Sequence, residues 1–93
     1  SLLIASHIKP WSKCNNEERL DPSNGLMLAP HIDALFDSGL ITFDADGTIK
    51  ISPKIDLENQ ERLGISPDMQ LKIEPESEKY FEYHRNHVFQ KEE

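Results

Sequence analysis

With 93 residues, the chain is long enough for one small domain and too short for two. Hydrophobic residues at 37% and charged residues at 29% fit a folded domain with a modest core and exclude a disordered chain. The net charge of −7 is spread as 7 acidic and 3 basic residues through Ile49, then 10 and 7 beyond it, so neither part binds phosphate strongly through bulk charge alone.

The apolar run at 2–6 opens the element order and reads as a buried strand that delivers His7 at its end. A chain that starts at Ser1 on such a run reads as a fragment of a longer protein. Residues 8–24, with two prolines, Trp11 and a charged cluster, read as a long surface loop, a length that is often functional. Residues 25–28 form a second short apolar piece. Pro30 suits the first turn of a helix over 30–37, and Gly39 stops it. A hairpin follows, with 40–44 and 48–52 alternating around an Asp46-Gly47 turn, Ile41 and Phe43 facing Ile49 and Ile51. A short helix over 57–63 closes at Gly64, a strand is expected over 69–73, and a last helix over 77–90 carries Tyr80, Phe81, His84 and Val88 at helical spacing. One mixed α+β domain over 1–93 accounts for these elements.

Cys14 is the only cysteine, which excludes an intramolecular disulfide and a multi-cysteine zinc site; it reads as an inert loop thiol. No apolar stretch approaches the roughly 18–20 residues that span a bilayer, and no signal-peptide pattern is present. A cytoplasmic protein with no membrane partner is the expectation.

Four residues carry the chemistry. His7 ends the first strand, Asn24 precedes the second apolar piece, and Asp33 and Asp37 lie four apart on the helix, hence on one face. Two hard carboxylates suit Mg²⁺ or Mn²⁺, and a neutral imidazole beside them accepts a proton from water near neutral pH. His31 is a second choice as ligand, because two residues on a helix turn it about 200° away from Asp33. Asp44-Ala45-Asp46-Gly47-Thr48-Ile49 is not a calcium loop: with Gly47 sixth, the first position is Thr42 and the twelfth Pro53. Among the other histidines, His84 reads as packing and His87 as surface.

Three ordered motifs resemble the HNH endonuclease family: Ala5-Ser6-His7-Ile8-Lys9-Pro10-Trp11, Leu20-Asp21-Pro22-Ser23-Asn24-Gly25-Leu26-Met27-Leu28, and Ala34-Leu35-Phe36-Asp37-Ser38-Gly39-Leu40-Ile41. The likeness covers roughly 2–51 and looks like a bacterial restriction-type branch; Tyr83-His84-Arg85 and Val88-Phe89 resemble that branch's last helix. It implies a ββα-metal core over 1–41, an extension over 42–93 and cleavage of DNA. His7 matches the general base, Asn24 the middle residue that braces the loop, and Asp33 the position that usually holds a His or Asn metal ligand. Asp37 matches a further ligand one turn on. The implied cofactor is one divalent cation, Mg²⁺ or Mn²⁺, and cleavage would leave a 5′-phosphate and a 3′-hydroxyl. Ser6 stands where the family commonly has an Asp or His ligand. Lys9, Lys13 and Arg19 are the expected phosphate contacts, Trp11 is expected to pack as a loop anchor, and a specificity domain is expected in missing or fused sequence. A degenerate HNH fold that binds DNA or protein without cutting is the alternative.

Overall fold

The computed structural model describes residues 2–91. Strand β1 (Ile4–His7) pairs antiparallel with β2 (Gly25–Leu28), placing Ser6 opposite Leu26 and His7 opposite Gly25. Between them the chain forms a 3₁₀ turn at Trp11–Lys13, helix α1 (Asn16–Leu20) and a second 3₁₀ turn at Pro22–Asn24. Helix α2 (Pro30–Asp37) follows β2, so the order β1, β2, α2 is the ββα core that the resemblance implies. The hairpin β3 (Ile41–Phe43) and β4 (Ile49–Ile51), helix α3 (Leu57–Arg62) and helix α4 (Glu78–His87) complete an α+β fold.

Helix α2 begins at Pro30, whose missing N–H costs nothing in a first turn. It ends in a two-bond stop: Gly39 N–H donates to the Phe36 carbonyl at 3.1 Å and Leu40 N–H to that of Leu35 at 2.9 Å. Gly39 has φ +79°, and a Cβ there would meet the Val88 carbonyl oxygen at 2.1 Å, so the stop also admits the end of α4. Leu35 and Phe36 from α2, Ile41 and Phe43 from β3, Ile49 from β4, and Tyr80 and Phe81 from α4 are buried in one cluster. Phe36 sits at its centre, 6.0 Å from Phe43 and 6.1 Å from Phe81 between ring centroids. The core therefore joins the ββα segment to the later elements.

His84 is the packing residue expected. Its ring stacks on Phe36 at 3.8 Å, Nε2 donates to the Phe36 carbonyl at 2.7 Å, and Nδ1 therefore accepts from the Thr42 hydroxyl at 2.7 Å. Burial pushes its pKa down to about 4, against the carbonyl bond that raises it. The unfolded chain takes up a proton that the folded state refuses, so stability is complete above the free imidazole value and falls as pH drops towards that of the folded state. Urea unfolding should show a loss of about 2 kcal/mol between pH 7 and pH 5, and that slope should vanish in His84→Gln. A wild-type slope retained in the variant would assign the acid sensitivity elsewhere.

Several expectations need correction. Leu2 and Leu3 are 84% and 53% exposed, because β1 pairs only with β2 and only Ser6 of that strand is buried. The loop over 8–24 contains α1, and Cys14 in it is buried. Residues 69–73 do not form a strand: Ile49 N–H donates to the Met69 carbonyl and Leu71 N–H to that of Gly47, making a single bridge between Thr48 and Gln70. Gly47, at φ +87°, leaves no room for a Cβ against the Leu71 carbonyl, which holds this segment to the turn rather than along β4. The last helix is shorter than 77–90 and is preceded by a 3₁₀ turn at Pro75–Ser77.

Candidate active site

A cleft of about 440 Å³ runs between β1, α2 and the end of α4, lined among others by Ser6, His7, Trp11, Asp33, Asp37 and Val88. The antiparallel register explains part of this: Ser6 faces inward from β1, and its hydroxyl meets Asp37 Oδ1 at 3.3 Å. Asp33 and Asp37 share the side of α2 that faces the cleft, while Leu35 and Phe36 take the core side. The structure thus places His7, Asp33 and Asp37 along one cleft, with Asn24 outside its lining.

The carboxylates are under-compensated. Burial and the neighbouring Asp33 charge hold the Asp37 carboxyl above the usual range, with the Ser6 hydroxyl pulling it back. Asp33 Oδ1 is buried and finds no hydrogen-bond partner among the described residues. An orphaned carboxylate oxygen beside a second carboxylate fits a hard divalent cation. No cluster of three His, Cys, Asp or Glu side chains suited to a metal occurs among the described residues; the carboxylates that line the cleft are Asp33 and Asp37. An ion such as Mg²⁺ held by two carboxylates would keep several waters as further ligands. His31 turns the other way, its Nε2 lying 3.9 Å from where a Cβ on Gly64 would be.

His7 Nε2 lies 3.3 Å from the Arg19 carbonyl oxygen. A carbonyl only accepts, so Nε2 carries a proton, and in the neutral imidazole the lone pair lies on Nδ1. Asn24 lies behind the cleft, fully buried. Its Oδ1 accepts from Lys9 N–H at 2.9 Å, and its Nδ2 donates to the Glu18 carbonyl at 3.1 Å and to Cys14 Sγ at 3.3 Å. Its own carbonyl receives Ile8 N–H at 3.0 Å. It therefore ties the residues after His7 to α1.

The three cations differ. Lys9 is paired with Glu18 at 2.9 Å and lies over the Tyr83 ring, whereas Lys13 is exposed. Arg19 stacks on Trp11 at 3.7 Å, and Trp11, 55% exposed at the cleft, is not the packed anchor expected. Sequence reading missed α1, although Asn15-x-x-Glu18 is a legible capping box. It also missed the bond from the Tyr80 hydroxyl to Asp21 at 2.6 Å, which no local pattern signals and which holds the Tyr80 pKa up to about 12.

Among the described residues, no helix is long and apolar enough to cross a membrane. A search of curated proteins finds no match. The family model described as HNH endonuclease matches residues 1–44, a span that contains β1, β2, α2 and every candidate residue above. Over those residues the chain is similar to the HNH endonuclease family.

Proposed function

We propose that the chain carries a metal-dependent endonuclease centre that hydrolyses phosphodiester bonds in DNA, in a cytoplasmic protein of a bacterial restriction or defence system. The observation that carries this reading is the cleft in which a histidine with a free Nδ1 lies with two under-compensated carboxylates. His7 is the general base: Nδ1 takes a proton from water, and the resulting hydroxide attacks phosphorus. The bond from phosphorus to the 3′-oxygen breaks, leaving a 5′-phosphate and, after protonation, a 3′-hydroxyl. The Arg19 carbonyl keeps the ring oriented throughout, and Asn24 holds the segment that carries it. Asp33 and Asp37 hold the cation, Mg²⁺ or Mn²⁺. When bound, such an ion supplies electrostatic stabilisation to the phosphoryl and leaving oxygens. Lys13 and Arg19 serve as phosphate contacts; Lys9 contributes through its pairing with Glu18 to the shape of the loop. Sequence recognition is assigned to a fused specificity domain, since the charge of this chain gives little grip on DNA.

Incubation of supercoiled plasmid with the purified chain should give nicked or linear product with Mg²⁺ or Mn²⁺ and none with a chelator. Product formed equally under both conditions would contradict a metal-dependent centre. Ser6 at a usual ligand position and the lack, among the described residues, of a third acidic or imidazole ligand favour a second reading, a degenerate HNH fold that binds DNA or protein without cutting. DNA binding without product under any cation would select that reading.

A further inference from the structure

Helix α1 has five residues, too few to persist alone, since nucleating one turn fixes several dihedrals for each hydrogen bond gained. Its start is closed by a reciprocal pair: Asn15 Oδ1 accepts from Glu18 N–H at 2.8 Å, and Glu18 Oε1 accepts from Asn15 N–H at 2.9 Å. The other oxygen of the same carboxylate reaches Lys9 Nζ at 2.9 Å, two residues past His7. The far end of α1 is engaged as well. A helix leaves its last carbonyls without intrahelical donors. Here the Glu18 carbonyl takes Asn24 Nδ2 and the Arg19 carbonyl takes His7 Nε2.

From this arrangement we infer that α1 is a positioning element for His7, with Asn15 and Glu18 as the residues that set it. They fold the turn that presents the Arg19 carbonyl to the ring, and Glu18 fixes that turn to the segment leaving His7. Neither residue lines the cleft, so neither is catalytic. Without the turn, the imidazole loses its acceptor and its proton redistributes between the two nitrogens. The tautomer protonated on Nδ1 has no lone pair there for water. The consequence for rate rests on the nuclease reading; the consequence for the ring does not.

Proton NMR of the metal-free chain without DNA tests this directly. Two ring N–H resonances held by carbonyl acceptors are expected, from His7 to Arg19 and from His84 to Phe36, the second reporting an intact core. Asn15→Ala should erase the His7 signal and keep that of His84. In the cation-loaded chain acting on plasmid, kcat should fall about tenfold or more with KM within about twofold. Asn15→Asp, which keeps a capping acceptor, should restore both signal and rate. A His7 signal retained in Asn15→Ala, absent in the wild type, or lost together with that of His84 would overturn the inference. A wild-type His7 signal in a chain that never cuts would count against the nuclease reading alone.

Discussion

His7→Ala should lower plasmid cleavage by about 10²–10⁴ while leaving thermal unfolding close to wild type, because a general base contributes a factor of that size. The ring is only half-buried and makes one polar contact with the protein, so its removal leaves little unsatisfied. Arg19, whose carbonyl it vacates, is itself only half-buried, so water replaces the lost donor. Single-turnover rates compared with melting curves separate the two effects. Full activity in His7→Ala would remove His7 from the mechanism.

Asn24→Ala should behave oppositely. It should cost about 1–3 kcal/mol of stability, because it leaves the Lys9 N–H without its acceptor, a loss of that size, and takes one of two donors from the Glu18 carbonyl, which keeps the Asp21 N–H. Both groups are bonded by the Asn24 side chain, which is fully buried. Cleavage should fall with stability, since the segment carrying His7 loses its tie to α1. Urea unfolding is the measurement; an unchanged midpoint would show that Asn24 does not brace the loop. The contrast between these two variants separates a residue that acts on substrate from one that holds it in place.

Much of the ββα core was legible because its signals are local. Pro30 and Gly39 mark the two ends of α2, and the four-residue spacing of Asp33 and Asp37 puts both carboxylates on one face. Ile41 and Phe43 do pair with Ile51 and Ile49 across the hairpin. The strand expected over 69–73 failed because alternation alone does not supply a partner: the Gly47 turn binds this segment at one bridge, and nothing extends it. Trp11 stacks on the Arg19 guanidinium of α1, a contact across eight residues that no periodicity encodes. The buried position of Cys14 depends on the same fold-level closure, through Asn24 and the Lys9 carbonyl. The candidate site residues come from spacing and motif, whereas the contact that orients His7 is a hydrogen bond to a backbone carbonyl. Such acceptors are present at every residue and leave no trace in side-chain identity.

Asp33 and Asp37 are proposed to hold a metal ion beside His7, and calorimetric titration of Mn²⁺ into the purified chain decides it. The orphaned Asp33 oxygen and the raised Asp37 carboxyl predict binding near one equivalent in the wild type and none in Asp33→Ala. Absence of binding at millimolar Mn²⁺, or binding that survives Asp33→Ala unchanged, would contradict the claim.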